Sequence, residues 1–389
     1  MLALGGVTLM ARKVGFKLYG LIPLLGFAAA GHPSFAFSGL TESFASLVLV
    51  GSILALLYQR PALGYLLASL LPYCRSEAKV LIPLFLVYGV YHRHFRSLPL
   101  LATGSLVFSL LGAYFLKDWA WIFNSPYKFD NNFYGEGAWY HYLHMLVYIL
   151  EWPLALLAFG GTLISVYKAW YTVHYRWNEG IVVPLMAWTI VFAHSAVWAL
   201  GIFGSAGLSR VLVLVLPLFF ILALMPLERF YDWANSQNFK YSLLVVVLIG
   251  LGSYYGVHRY SSRQNYLWNL ALRPNEEAQM IRDSIAPFIN SHYPHFTKIV
   301  AESPDLGRFL NYNMLDSPKS GSWRDFASAP RPFYKKGVLL LWESRWAAVF
   351  YHNLDLLNQD PCFTHLRSWQ IKPDGVRFEL YSYNAACSP

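Results

Sequence analysis

What this chain has little of is charge. Only 13% of its 389 residues are Asp, Glu, Lys or Arg, where a soluble domain carries about 25%. Cysteine is scarce as well. Cys74, Cys362 and Cys387 are the three present, too few for a disulfide framework. No Cys-x-x-Cys pair or Cys/His cluster has metal-site spacing, so no structural zinc is expected. The sequence has no phosphate-binding glycine loop, no dinucleotide-binding glycine pattern, no His-Glu-x-x-His and no nucleophile elbow. Acids are missing over a long stretch: before Asp118 there are only Glu42 and Glu77. The net charge of +9 does not point to nucleic acid. The basic residues fall in short loops between apolar runs, the positive-inside pattern of membrane proteins.

Apolar residues fill the space that charge leaves. They make up 56% of the chain, and the mean hydropathy is +0.37 even with a more polar C-terminal part included. A membrane span needs about 20 mostly apolar residues. Candidate runs lie near 14–31, 38–58, 62–74, 79–92, 97–116, 143–167, 181–203, 208–227 and 241–257, about nine in all. Two of them, 62–74 and 79–92, are short. Pro61, Pro72 and Pro83 interrupt them, as in a broken helical pair. The expected fold class is mainly α: a polytopic membrane helical bundle over residues 1–260. A small extracytoplasmic α/β domain follows over 261–389. The opening "MLALGGVTLM" is too short to span and lacks the basic start and cleavage site of a signal peptide.

In the C-terminal part, "NEEAQMIRDSIAPFIN" (275–290) has the period of an amphipathic helix. "FTKIVAE" (296–302), "KGVLLLWES" (336–344), "SWQIK" and "VRFELYSYN" read as strands, and 347–366 reads as helix up to Pro361. Cys362 and Cys387 lie here and are candidates for a disulfide in an oxidising compartment. The basic loops around Arg12–Lys17, Arg93–Arg96, Lys168–Arg176 and 227–240 are expected on the cytoplasmic side. Segments 32–40, 73–79, 117–142, 203–207 and everything after about 258 then fall on the other side.

Polar residues inside apolar runs are costly and usually face a cavity, a partner or a substrate path. Arg75, Glu77 and Lys79 interrupt "LPYCRSEAKVLIPLFL". Either Arg75 reaches a phosphate of an anionic lipid-linked substrate with its planar fork, or these charges pair with one another or snorkel. Glu42, in "FSGLTESF", sits where Ser38 or Thr41 caps a helix whose positive end favours a carboxylate. In the alternative it lies in an outer vestibule, within reach of a metal, a sugar hydroxyl or Arg75. Arg210 is either an interfacial anchor or a second phosphate ligand. The aromatic loop 117–142 reads as an interface belt and a lid combined. Its polar candidates are Asp118, Asp130, Glu136, His141 and His144. Asp118 and Glu42 are the candidates for a general base. Glu151 and His194, within apolar spans, read as hydrogen-bonded structural groups.

Three of these segments carry a family resemblance. "ARKVGFKLYGLIPLLGFAAAGHPSFAFSGLTESFASLVLV" is similar to an inner helix, an outer turn and a "TE" opening the next helix. "LPYCRSEAKVLIPL" is similar to an Arg-x-Glu segment, with Ser76 and Ala78 where Pro and Gly are usual. "GLSRVLVLVLPLF" is similar to a late helix that carries Arg-Tyr before a proline, with Val211 in place of the Tyr. In order and sidedness they resemble the GT-C class of integral membrane glycosyltransferases, particularly bacterial proteins like the dolichyl-phosphate-mannose protein mannosyltransferase family. The C-terminal segment "LLLWESRWAAVFYHNLDLLNQDPCFTHLRSW" is also similar to the periplasmic domain of such proteins.

The resemblance implies a polyprenyl-phosphate-linked sugar donor in the bilayer and transfer on the outer face to a glycan or protein acceptor. It places the donor head group near Arg75 and Arg210, to which the reading of the residues adds Glu77, Glu42, His141 and His144 as substrate-binding candidates, and it implies a bacterial inner-membrane protein with a periplasmic C-terminal domain. Some members use a divalent metal; no other cofactor is implied. The family's acidic motif lies in the first outer loop and supplies the base that activates the acceptor. No position of this sequence matches it. The chain is thus expected either to begin after that loop or to be a divergent member, with weak or no transferase activity. Rival readings are a transporter or flippase of lipid-linked glycans, an O-antigen ligase or polymerase, and a non-catalytic membrane scaffold.

Overall fold

The computed structural model describes residues 2–29, 41–121, 136–171, 179–202, 207–236, 250, 252, 276–312, 319–328, 336–344, 347–351, 354–371 and 375–383. The chain divides into two compact units, Met1–Leu272 and Arg273–Pro389.

The first unit is helical. Its elements are α1 (Leu2–Val14), α2 (Ile22–Ala28), α3 (Thr41–Leu57), α4 (Pro61–Ala68), α5 (Leu71–Cys74), α6 (Ile82–Tyr91), α7 (Thr103–Phe115), α8 (His141–Tyr171), α9 (Glu179–Ala199) and α10 (Leu216–Ser236). Short 3-10 turns at Ser76–Leu81, Leu98–Ala102 and Ser209–Leu214 lead into α6, α7 and α10. The prolines that interrupt the sequence stand in first turns: Pro61 opens α4, Pro72 lies in α5 and Pro83 in α6. A proline there loses nothing, because the first N–H groups of a helix have no intrahelical acceptor.

The expected count of nine spans is not what the described residues show. Three helical stretches are long and apolar enough to cross a membrane: Leu98–Phe115, His141–Trp170 and Ile181–Ala199. The prolines cut 62–74 and 79–92 into helices of 8, 4 and 10 residues. The run near 14–31 yields only the 7-residue α2, and α3 stops at 17 residues. The apolar run of α10 ends at Glu228, Arg229 and Asp232, though the helix continues to Ser236. The run 241–257 lies almost wholly outside the described residues.

α10 forms the centre of this unit. Every residue from Leu216 to Met225 is buried, so this stretch is apolar all round, as a fully enclosed helix must be. Its most extensive contact is with α8. There a Cβ on Gly161 would stand 1.9 Å from the Leu222 carbonyl oxygen, so only glycine permits this backbone approach. α8 itself breaks at Glu151, whose φ of 60° and ψ of 163° are non-helical, with Pro153 two residues on. Beyond the break, Trp152, Leu156, Phe159, Leu163, Val166 and Trp170 are all exposed. They recur three or four residues apart and so form one apolar stripe. Scattered exposed hydrophobics are ordinary, whereas a continuous large apolar stripe marks a surface meant to be covered.

At the opposite end of α10 from its 3-10 lead-in, Glu228 accepts the backbone N–H groups of Lys17 (2.6 Å) and Leu18 (3.0 Å). Asp232 pairs with the Lys17 ammonium at 2.6 Å. These contacts lock the turn between α1 and α2.

The second unit is a mixed sheet with helices on both faces. The strands are β1 (Lys298–Val300), β2 (Ser320–Gly321), β3 (Val338–Glu343), β4 (Phe363–Gln370) and β5 (Arg377–Tyr383), in the order β2-β1-β3-β5-β4. β1 runs parallel to β2 and β3, while β5 is antiparallel to β3 and β4. All six residues of β3 are buried, which explains its unbroken "VLLLW": a central strand covered on both faces loses the apolar-polar alternation. Leu339, Leu341, Phe378 and Leu380 pack with Ile281, Ile285 and Ile289 on one face. Val338, Leu340, Trp342 and Tyr381 pack with Trp323 and Phe326 on the other. The expected amphipathic helix is present but includes a π-helical turn, Ile281–Ile285. β4 begins at Phe363, earlier than the 368 expected, because pairing with β5 starts at Tyr383 and cross-strand context rather than local pattern sets the strand's length. Cys387 lies outside the described residues.

One buried acid in this unit yields a prediction. Glu302 accepts the Trp323 backbone N–H at 2.7 Å, yet burial raises its carboxyl above the usual glutamate value. A raised folded pKa favours the protonated form. Its stabilising contribution is complete below the unfolded value and fades as pH rises through the raised one. Glu302→Gln keeps the acceptor oxygen and removes the charge. We expect it to slow amide exchange in 298–312 and 319–328 at neutral pH and to abolish the loosening expected of wild type as pH rises above the ordinary glutamate range. Hydrogen–deuterium exchange on the full chain measures this; unchanged exchange over that rise in pH for both proteins would count against it.

Candidate functional site

Three breaks in regular structure bring the site together. The first is the start of α3, where Thr41 and Glu42 occupy the opening turn and the helix dipole favours a carboxylate. The second is the kink after α5, where Arg75 is extended (φ −152°, ψ 127°) before the turn Ser76–Leu81. The third is the 3-10 turn Ser209–Leu214, which carries Arg210. α3 packs against both α5 and the Ser209–Leu214 turn, so residues far apart in sequence meet.

Glu42 is the hub. Its side chain is 2% exposed, and its Oε1 lies 3.3 Å from Arg75 Nη1 and 3.3 Å from Arg210 Nε. Arg75 also donates to Glu77 Oε1 at 2.5 Å and reaches Thr41 Oγ1 at 3.5 Å. Ser76 Oγ donates to Glu77 Oε2 at 3.2 Å. The reading in which Arg75 pairs with neighbouring charges holds: it pairs with Glu77, and it is also gathered with Glu42 and Arg210 into one cluster. The two arginines keep access to solvent, with side-chain exposures of 21% and 38%. The two 3.3 Å approaches are ion pairs: among the described residues neither Glu42 oxygen nor Arg210 Nε makes a hydrogen bond.

α9 packs on the Ser76–Leu81 turn and brings His194 within electrostatic reach of Glu77 and Arg75. Its buried ring lies 5.5 Å from that of Tyr142, which in turn contacts His141 at 5.2 Å. His141 Nε2 hydrogen-bonds the Gly207 carbonyl oxygen at 2.7 Å, and its ring lies 5.6 Å from Trp198. Gly207 has φ +62°, a left-handed turn that suits glycine. His141 therefore holds the segment that leads to Arg210.

The other sequence candidates fall elsewhere. His144 and Lys79 are exposed, and no described side-chain contact ties them to the cluster. Asp118 accepts the Ala120 backbone N–H at 2.8 Å, closing its own loop. Glu136 is exposed. Asp130, Ser38 and the lid aromatics Phe123, Tyr127, Phe129, Phe133 and Tyr134 lie outside the described residues. Trp121 donates its indole N–H to the Phe108 carbonyl oxygen at 2.6 Å and so packs back on α7. Glu151 marks the break of α8 and is buried. The residues that sequence reasoning did not connect to the site are His194, Tyr142 and Trp198. His194 was a lone polar residue in an apolar span. Tyr142 counted as one loop aromatic among many, whereas it lies buried in the first turn of α8.

No group of three or more His, Cys, Asp or Glu side chains among the described residues is placed to hold a metal ion. What the cluster offers is two guanidinium groups, each with two nitrogens beyond the one facing Glu42, beside aromatic and imidazole rings. No family model, curated protein or solved structure matches the chain.

Proposed function

We propose that this chain is an integral membrane protein that binds the phosphate of a polyprenyl-phosphate-linked sugar at Arg75 and Arg210, in the manner of a GT-C-type glycosyltransferase. The observation that carries the ligand assignment is the convergence of two partly open arginines on one buried carboxylate. A guanidinium fork matches phosphate oxygens, and Glu42 fixes both forks without occupying all their donors. Trp198 and His141, both half-buried, supply ring faces of the kind that suit a sugar, with the buried Tyr142 and His194 packed beside His141. The stripe from Trp152 to Trp170 supports immersion in lipid.

Transfer of the sugar needs a base to take the proton of the acceptor hydroxyl. Glu42 is buried and shared by two guanidinium groups, and Glu77 is held by Arg75 and Ser76. The arginines are suited to stabilise the leaving phosphate. Donor binding is therefore the better supported half of the function.

The test uses purified full-length protein in nanodiscs with radiolabelled polyprenyl-phosphate mannose. Arg210→Gln is expected to weaken donor binding by about 10- to 100-fold, equivalent to one charge-assisted bidentate contact of about 1.5–3 kcal/mol. Polyprenol lacking phosphate should bind no better to wild type than to the variant. Equal binding of the phosphorylated and unphosphorylated lipids by wild type would sink the proposal.

A further inference from the structure

A second basic site lies away from the Glu42 cluster. α8 and α10 touch backbone to backbone at Gly161 and Leu222, and Gly160 packs against Pro226 at 3.4 Å from its Cβ position. Just beyond, a cavity of about 470 Å³ opens between them, lined by Leu163, Ile164, Tyr167, Lys168 and Arg229. One wall belongs to the exposed apolar stripe: Leu163 and Tyr167 are 59% and 63% exposed. The end of the cavity holds two cations close enough to repel, Lys168 and Arg229.

Like charges brought together in a cleft make a place for an anion. Glu228 turns its oxygens to the Lys17 and Leu18 backbone N–H groups and Asp232 pairs with the Lys17 ammonium, so among the described residues neither acid is the direct ion-pair partner of Arg229. Neither cation sits beside Glu42, Arg75 or Arg210. The cavity joins an apolar wall to a basic end, and that combination fits one occupant: a lipid whose acyl chain lies along Leu163 and Ile164 and whose phosphate meets Lys168 and Arg229. A free phosphate has no use for the wall, and a neutral lipid has none for the cations.

We infer that the α8–α10 groove is a binding site for an anionic phospholipid of the surrounding membrane, held through its phosphate by Lys168 and Arg229. This rests on the membrane reading above but not on the sugar-donor assignment. A basic residue near an anionic headgroup contributes roughly a fivefold gain in affinity, so two give roughly 10- to 30-fold.

The experiment is native mass spectrometry of the full chain in detergent, titrated with phosphatidylglycerol, phosphatidylcholine or glycerol phosphate. Resistance of the protein to alkaline carbonate extraction is measured on the same membranes. Wild type should bind phosphatidylglycerol roughly 10- to 30-fold more tightly than the Lys168→Gln/Arg229→Gln double variant, with phosphatidylcholine binding weak in both. Leu163→Trp, which narrows the groove without touching a charge, should lower phosphatidylglycerol binding as well, and it serves if the double variant fails to fold. Extraction of wild type by carbonate would overturn the membrane reading itself. Full integration with equal phosphatidylglycerol binding by all three proteins would overturn the site alone. Glycerol phosphate competing as strongly as the intact lipid would overturn the lipid as its occupant.

Discussion

Replacing Arg75 and Arg210 together with alanine should destabilise the helical unit by about 3–5 kcal/mol, the usual cost of leaving a buried charge without its partners. Either change alone should cost less than half of that, because the remaining guanidinium still faces Glu42 Oε1. The reason lies in the asymmetry of burial: Glu42 is 2% exposed, whereas the arginines retain 21% and 38%. Removing the arginines strands an enclosed carboxylate; removing the carboxylate merely releases two groups that water can reach. A third change, Glu42→Gln, added to the double variant should therefore restore more than half of the lost stability. Chemical unfolding in detergent, followed by tryptophan fluorescence, gives all four values. Simple additivity of the three changes, with no rescue, would show that Glu42 is not the hub.

The second large effect is expected at Gly161. Gly161→Ile should cost about 3 kcal/mol, the top of the range for forcing atoms into a filled interior. The new Cβ would meet the Leu222 carbonyl oxygen at 1.9 Å, and backbone cannot turn aside as a flexible side chain can. α8 and α10 would have to separate along the contact that organises the unit. Gly160→Ala, one residue earlier, meets only the ring of Pro226 at 3.4 Å and should be close to neutral. The pair of substitutions separates a true backbone approach from general sensitivity of α8. Thermal unfolding of both variants, with equal midpoints, would contradict the packing described.

The sequence made some of this plain and hid the rest for definite reasons. The long helices α8 and α9 were visible because their apolar runs exceed 18 residues; Pro153 and Pro184 lie within them, and the run continues apolar past the break at Glu151. The broken stretch from Pro61 to Tyr91 was readable as broken, because each proline stands where a new helix must start. The count of spans was not readable in the same way. A hydrophobic run states that a segment is buried, and burial inside protein, as at Leu216–Met225, gives the same signal as burial in lipid. In the second unit the run "VLLLW" correctly marked β3. "FTHL", beyond the helix read up to Pro361, was not assigned to the strand because its pairing partner in β5 lies more than ten residues away and leaves no local trace. Within the site, Arg75, Glu77, Arg210 and Glu42 stood out as charges in apolar surroundings. Sequence spacing could not say that Glu42 takes both arginines at one oxygen, since that depends on how α3 packs against two separate turns. His194 joined the cluster by packing alone.

The stripe on α8 also sets a length. From Trp152 to Trp170 the helix advances roughly 27 Å, close to the hydrocarbon thickness of a bilayer, about 30 Å. A tryptophan stands at each end, where indole rings favour the boundary between tails and headgroups. The break at Glu151 falls one residue outside that interval. If lipid tails cover the stripe, the only non-helical backbone in α8 is placed at the level where water and headgroups begin, so the freed peptide groups need no partner within the oil. One face of a single helix then acts as a ruler for the depth of the whole unit.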